Sequence, residues 1–264
     1  MLIPQKINIL FLADIVGKPG LDITTQLLPT LKRKYDVSLC IANGENGARG
    51  KGLTERIAKQ FFSIGIDLIT SGNHIWENRV FHSYLATADR VLRPLNYPEG
   101  NPGKGFAIIP IQPGLSVGVI NLQGRTFMYP INCPFRTANW AISKIKNETN
   151  IILIDFHAEA TAEKYALGWF LDGKVSGIIG THTHVQTADE RILPGGTAYI
   201  TDVGMTGAFD SVIGMKKEVA IQRFLQQTPR KYLIAEENLK ISGAVICVEV
   251  ETGKALSIER IQLP

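Results

Sequence analysis

The chain has 264 residues, of which 45% are hydrophobic and 20% charged, and its formal net charge is +4. This is an ordinary soluble globular composition. No apolar run approaches the ~20 residues of a membrane span, and Pro4, Gln5 and Lys6 interrupt the apolar N-terminal segment. The sequence therefore predicts a cytoplasmic protein that neither spans a membrane nor carries a signal peptide.

Cysteine spacing and charge distribution exclude further classes. Cys40, Cys133 and Cys247 are odd in number and lack a short paired spacing, so we expect buried reduced thiols and neither a disulfide framework nor a cysteine-ligated zinc site. The one dense basic cluster, residues 32–34, falls near the end of a predicted helix, where it complements the helix dipole. Stable nucleic-acid binding is therefore not indicated. Because no linker or repeat interrupts the chain, we expect a single domain over residues 1–264.

Short apolar runs of strand length recur along the chain, and each ends in polar residues. In chain order these runs are residues 7–13, 39–42, 67–71, 151–154, 177–180 and 197–201. Helical periodicity separates several of them, at residues 21–35 and at 54–64, where Thr54 is a candidate N-cap. This alternation predicts βαβ units with a largely parallel sheet, in which ligands bind at the carboxyl ends of the strands.

Two hairpin patterns complete the predicted fold. Residues 105–111 and 116–122 flank one turn, and residues 242–251 and 255–261 flank another. They indicate a second, more antiparallel sheet. The prediction is thus an α/β sandwich, with two facing sheets and helices outside.

Histidines mark the predicted strand ends. Four of the five histidines lie there, namely His74, His157, His182 and His184, whereas His82 falls in a helix-like segment and is expected to be structural or exposed. Any one alone is more often structural than a ligand. His182 and His184 point the same way if their segment is extended, and they can then share one metal or bind one each.

Carboxylates and amides follow other strands. Asp14 and Glu45 end apolar strands, where a buried carboxylate needs a cation or other partner; the alternatives are a helix cap for Asp14 and a surface turn for Glu45. Asn46 and Asn73 offer carbonyl oxygens. Together with the histidines, this thiolate-free set suits iron, manganese or zinc. Two carboxylates only partly neutralise two divalent cations, so the site keeps a net charge of about +2. This charge suits an anionic substrate, and a pair of metals is the arrangement used in phosphoryl transfer.

Six motifs carry a resemblance over essentially the whole chain. They are ILFLADIVG (9–17), NGENGARGKG (43–52), GNHIW (72–76), DFHAEAT (155–161), GTHTHVQTAD (180–189) and ITDVGMTG (200–207). With them the chain resembles the calcineurin-like metallophosphoesterase superfamily, and within it the YmdB-type family of 2′,3′-cyclic-nucleotide phosphodiesterases. Val16 and Glu45 stand where the wider superfamily has a histidine and an aspartate, and both match the YmdB-type subgroup.

The resemblance implies an α/β sandwich of two facing mixed sheets flanked by helices, with two divalent or trivalent transition metals. Iron is the first choice, and manganese or zinc are the alternatives. In this arrangement Glu45 bridges the two metals. The other implied ligands are Asp14, Asn46 and His184 on one side, and Asn73, His157 and His182 on the other.

The implied activity is hydrolysis of a small phosphodiester, a 2′,3′-cyclic nucleotide, by a metal-bridging hydroxide. His74 is assigned as the proton donor, because it adjoins Asn73 but points elsewhere if the turn is extended. Asp155 either orients a histidine or caps its strand. Arg93 and Arg125 are weaker candidates for phosphate contacts. The alternative for each is an exposed surface arginine with no role at the site.

Two alternative functions stay open at this point. One is a non-catalytic nucleotide- or metal-binding regulatory protein on the same fold. The other is a dimetal amidohydrolase-type enzyme, which would hydrolyse amides or lactones. Assembly into a homo-oligomer is a further expectation that stays open.

Overall fold

The computed structural model describes residues 3–264. In chain order, the strands within this range are β1 (Lys6–Leu12), β2 (Asp14–Ile15), β3 (Val37–Asn43), β4 (Leu68–Thr70), β5 (Phe106–Gln112), β6 (Leu115–Gln123), β7 (Ile152–His157), β8 (Gly177–Thr181), β9 (Arg191–Ile192), β10 (Ala198–Ile200), β11 (Met205–Ala208), β12 (Leu239–Glu249) and β13 (Ala255–Leu263). The helices are α1 (Gly17–Lys34), α2 (Glu55–Ser63), α3 (Phe81–Leu85), α4 (Pro134–Ile145), α5 (Thr161–Leu171) and α6 (Lys217–Gln226), with a 3₁₀ helix at Asn73–Trp76.

The strands form two mixed sheets. The first has the order β2-β11-β12-β1-β3-β4, with β13 paired to β12, and the second has the order β5-β6-β7-β8-β10-β9. In the first sheet β1 runs parallel to β3 and antiparallel to β12. In the second, β6, β7 and β8 are parallel and β5 is antiparallel to β6.

The main hydrophobic core lies between the two sheets. It joins Ile9 and Phe11 of β1 to Val119 of β6, Leu153 of β7 and Ile179 of β8, all of them buried. A second cluster packs α1 and α2 on the outer face of the first sheet, and a third packs α4 and α5 on the outer face of the second. The predicted sandwich of two facing mixed sheets flanked by helices is confirmed.

The predicted division into one parallel and one more antiparallel sheet is wrong. The six strands expected in a single parallel sheet are shared, with β1, β3 and β4 in the first sheet and β7, β8 and β10 in the second. The two predicted hairpins are present as β5–β6 and β12–β13, but they lie in different sheets. The site therefore forms between two sheets instead of along one edge.

Local predictions agree with the structure more closely. Thr54 caps α2, since its hydroxyl oxygen accepts a hydrogen bond from the Ile57 N–H at 3.3 Å. The basic cluster occupies the last turn of α1, as predicted. All three cysteines are free, and only Cys40 is fully buried, so the prediction of buried thiols is wrong for Cys133 and Cys247. No helix within residues 3–264 is long and apolar enough to cross a membrane.

Candidate metal centre

The seven predicted ligands form two neighbouring clusters at strand ends of both sheets. The first cluster contains Glu45, Asn73, His157 and His182. The second contains Asp14, Asn46 and His184. One cavity of about 370 Å³ is lined by residues of both clusters, so the two open onto the same space.

Three polar atoms surround one nitrogen of His157 in the first cluster. Its Nε2 lies 3.1 Å from Glu45 Oε1, 3.1 Å from Asn73 Oδ1 and 3.0 Å from His182 Nδ1. A single ring nitrogen cannot form hydrogen bonds to all three atoms. Two ligand atoms that bind the same ion at about 2.1 Å, with an angle of about 90° between their bonds, lie about 3.0 Å from each other. The spacing is therefore that of ligands around one cation.

The second cluster holds a carboxylate that lacks hydrogen bonds. Asp14 is fully buried, and within the described chain neither of its oxygens has a hydrogen-bond partner. His184 Nε2 lies 3.2 Å from Asp14 Oδ2 without the direction of a hydrogen bond, and 3.1 Å from Asn46 Nδ2. Rotating the Asn46 amide by 180° would place its carbonyl oxygen there. A buried, unpartnered carboxylate is costly unless a cation binds it, so a metal fits this cluster.

A hydrogen-bonded chain orients the ring of His157. The Thr181 hydroxyl donates to Asp155 Oδ1 at 2.7 Å, so its oxygen accepts the Nδ1 proton of His157 at 3.0 Å. Asn43 Nδ2 donates to the other oxygen of Asp155 at 3.1 Å. The proton is thereby held on Nδ1, and Nε2 presents its lone pair to the cluster. Asp155 acts on the histidine through Thr181 and does not contact it directly.

The other two histidines are oriented in the same way. His184 Nδ1 donates to the carbonyl oxygen of Ile213 at 3.0 Å, which leaves Nε2 facing Asp14. His182 Nε2 lies 3.1 Å from Glu159 Oε2, which leaves Nδ1 facing the first cluster. In each case the nitrogen that faces the cluster is the one free to bind a metal.

The charges of the clusters are strongly coupled. Burial opposes ionisation of Glu45, but the neighbouring His157 outweighs it and lowers the pKa of that carboxyl. Burial likewise opposes the imidazolium of His157, yet the carboxylates of Glu45 and Asp14 raise its pKa to about 9. Burial raises the pKa of Asp155 to about 7, and burial with the charge of His157 lowers the pKa of His182 to about 3. The carboxylates thus favour a positive charge at the position of His157 Nε2.

The segment that carries His74 is a 3₁₀ helix, so the condition of an extended turn at this position is not met. The tight turn still separates the two side chains, with Asn73 facing His157 and His74 lining the cavity. The backbone N–H of His74 donates to Glu45 Oε2 at 2.9 Å. Its Nδ1 lies 3.1 Å from Glu77 Oε1, so Nε2 is the ring nitrogen left for a ligand.

The predicted extended segment at His182 and His184 is also wrong. Strand β8 ends at Thr181, and the two histidines have φ angles of 102° and 64°. Asp202 holds this turn, because its Oδ2 accepts hydrogen bonds from the backbone N–H and the hydroxyl of Thr183, at 3.1 and 2.8 Å. The histidines consequently face different clusters instead of sharing one face.

Neither weaker arginine candidate lines the cavity at the centre. The Arg93 guanidinium donates to backbone carbonyls, including that of Pro94 at 2.9 Å, and lines a separate cavity. Arg125 contacts Glu163 through its backbone N–H. His82 contacts the Trp76 carbonyl and ring, in agreement with a structural role.

Sequence reasoning missed several residues that line this cavity. Among them are Lys51, Arg223 and Tyr232, which come from the loop after β3, from α6 and from the segment after α6. It also missed Glu77 and Glu159 beside the histidines. The GARGKG stretch after β3 contained the one available signal, because a basic residue among glycines beside candidate ligands is suited to an anion.

Two facing mixed sheets, with imidazoles, carboxylates and amides meeting at their strand ends, define a hydrolase of the metallophosphoesterase class. The model of the family described as YmdB-like protein matches residues 10–261, and the chain belongs to that family. It is 50% identical over 254 residues to the 2′,3′-cyclic-nucleotide 2′-phosphodiesterase of Bacillus subtilis, covering 96% of each chain.

Two solved structures have the same fold. The structure of a novel phosphatase from Mycoplasma pneumoniae has a TM-score of 0.93 at 34% identity, covering 99% of this chain and 94% of that one. A hypothetical protein from Thermus thermophilus has a TM-score of 0.90 at 40% identity, covering 97% of this chain and 99% of that one.

Proposed function

We propose that this protein is a metal-dependent phosphodiesterase that hydrolyses 2′,3′-cyclic nucleotides, and that His74 protonates the leaving oxygen. The observation that carries the proposal is the pair of clusters, in which Glu45 Oε1 and both oxygens of Asp14 are buried without hydrogen-bond partners. Support for the substrate comes from the B. subtilis relative, which is described as acting on 2′,3′-cyclic nucleotides.

The donor set supports a two-metal centre. Glu45 of the first cluster is the proposed bridging ligand, with Asn73, His157 and His182 proposed for one metal and Asp14, Asn46 and His184 for the other. When bound, a pair of such ions activates water and neutralises charge on the phosphoryl oxygens. The choice of iron over manganese or zinc, the single domain over residues 1–264 and the cytoplasmic location stay predictions from the sequence.

In the reaction water adds to phosphorus, the bond from phosphorus to the 2′ oxygen breaks, and that oxygen takes up a proton. His74 is the proposed donor, because it lines the cavity and its Nδ1 is held by Glu77. Its backbone N–H donates to Glu45, which fixes the histidine beside the proposed bridging ligand. An alkoxide is a poor leaving group without a proton, so this residue is expected to limit the rate.

A substrate panel tests the proposed activity. Metal-loaded protein should show its highest kcat/KM on 2′,3′-cyclic nucleotides, compared with 3′,5′-cyclic nucleotides, linear diesters and phosphate monoesters. Preference for monoesters would contradict the proposal. Nucleotide binding without turnover would indicate a regulatory protein, and hydrolysis of amides or lactones would indicate an amidohydrolase-type enzyme.

The role of His74 is tested separately. His74→Ala should keep the metal content of the wild type and lower turnover of an alkyl diester by ~10²–10⁴-fold. A nitrophenyl diester needs little protonation of its leaving group and should lose much less. His82→Ala is the matched control, with metal content and turnover unchanged. Loss of metal from His74→Ala would contradict the assignment as an acid.

A further inference from the structure

The cavity at the metal centre continues into a second cavity. The first, of about 370 Å³, is lined by His74 and by residues of both clusters. The second, of about 550 Å³, shares Lys51, Arg223 and Phe224 with it. The two therefore form one groove, which runs from the centre past the end of α6 to Arg230.

The second cavity of this groove is positively charged. Lys51, Arg223 and Arg230 line it with exposed side chains, and within residues 3–264 none of the three forms a salt bridge. The described lining of the second cavity includes no aspartate or glutamate. In the described part of the chain, the Arg230 guanidinium donates a hydrogen bond to the neutral side chain of Gln226. The charge of these cations is thus available to an anionic ligand.

The chemistry of a cyclic diester decides which part of the substrate enters the groove. Both ester oxygens of a 2′,3′-cyclic phosphate belong to one ribose, so the whole nucleoside lies on the leaving-group side. His74, the proposed donor to that oxygen, lines the first cavity. We therefore expect the nucleoside to occupy this cavity and a group attached to its 5′ oxygen to extend into the second cavity.

A mononucleotide carries no charge at its 5′ oxygen and would leave the second cavity's cations without a partner. An RNA chain continues there through phosphodiesters, whose charge the three cations complement. Phe224 is 70% exposed at the boundary of the two cavities. An exposed aromatic ring beside a basic groove provides a surface for base stacking.

We propose that the substrate of this site is the 2′,3′-cyclic phosphate end of a short RNA, whose upstream phosphates bind Lys51, Arg223 and Arg230. The inference rests on the proposed function and deepens it. Such ends form when a 2′-hydroxyl attacks the adjacent phosphodiester and expels the 5′ oxygen of the next nucleotide. The class of reaction that supplies this substrate is therefore RNA cleavage by internal transesterification.

The test compares 2′,3′-cyclic AMP with a tetra-adenylate that ends in the same cyclic phosphate. We expect kcat/KM for the tetranucleotide to be at least tenfold higher at low salt. Two to three phosphate contacts should give log(kcat/KM) a slope of about −1.4 to −2.1 against log salt, at about −0.7 per contact for single strands. The mononucleotide should show a shallower slope.

Variants separate the groove from the metal centre. Arg230→Gln, which changes the second cavity alone, should reduce the advantage of the tetranucleotide while kcat for the mononucleotide is kept. Arg136→Gln, an exposed arginine on α4, is the matched control and should keep the full advantage.

The outcomes distinguish this inference from the proposed function. Hydrolysis of the mononucleotide with no gain for the tetranucleotide in the wild type would overturn the RNA-end substrate and leave the phosphodiesterase standing. Equal losses for both substrates in Arg230→Gln would also overturn it. Hydrolysis of neither substrate by metal-loaded protein would overturn both.

Discussion

Gly72→Ala tests the placement of the His157 ring by steric displacement alone. A Cβ at position 72 would lie 2.0 Å from His157 Cδ2 and 2.2 Å from its Nε2. The ring must move by roughly 1.5 Å to restore an ordinary contact of about 3.5 Å. It has little freedom to do so, because the residue is fully buried and its Nδ1 is bonded to Thr181. The substitution leaves every proposed ligand chemically intact.

Metal sites tolerate deviations of only about 0.2 Å in ligand distance. The displacement of His157 in Gly72→Ala should therefore prevent the first cluster from binding a metal. Metal content by elemental analysis should fall by at least one ion per chain, and overpacking should cost about 1–3 kcal/mol of unfolding free energy. Gly207→Ala is the control, since its Cβ would meet its nearest atom, in Val16, at 3.3 Å. Full metal content and turnover in Gly72→Ala would refute the assigned position of His157.

Three further changes test the surroundings of the centre. Thr181→Val removes the hydroxyl that orients His157 and should weaken metal binding ~10–100-fold in a chelator competition. Thr197→Val is the control, because it also removes a buried hydroxyl with two hydrogen-bond partners, and it should leave metal affinity unchanged. Lys164→Met breaks the buried 2.7 Å ion pair with Asp202 and should cost about 3–5 kcal/mol in urea unfolding; a loss below 1 kcal/mol would contradict this. Burial raises the pKa of Asp202, so on lowering the pH this carboxyl is protonated in the folded protein before it is protonated in the unfolded chain. The unfolding free energy lost in Lys164→Met should therefore shrink as pH falls. Chelation of the metals should lower the Tm, because ligand present at ~1,000 times its Kd contributes about 4 kcal/mol; an unchanged Tm in EDTA would argue against a bound cation.

Local sequence patterns predicted the helices and strands well, because the start of a helix or a strand depends on residues that are close in sequence. The Thr54 cap and the alternation of strands with amphipathic helices are visible within a few residues. The partition of strands is not, because it depends on pairs such as Asn8 with Cys247, which lie at opposite ends of the chain. Sequence alone therefore could not place β1 and β7 in different sheets.

The candidate site follows the same division. Polar residues at strand ends were predictable, because a buried Asp14 or His157 at the end of an apolar run needs a partner. The left-handed backbone at His182 was not, since Thr183 and Asp202 fix it across the fold. The groove residue Arg223 lies on an exposed helix, where an arginine has no distinctive pattern, and only the packing of that helix beside the centre places it there.

Anomalous diffraction from crystals of the metal-loaded protein tests the central claim most directly. Data collected at the absorption edge of the bound metal should show two peaks, about 3.5–4 Å apart as in two-metal hydrolases. One peak should be bound by Asn73, His157 and His182 and the other by Asp14, Asn46 and His184, with Glu45 between them. A single peak, or metal bound away from these side chains, would contradict the account.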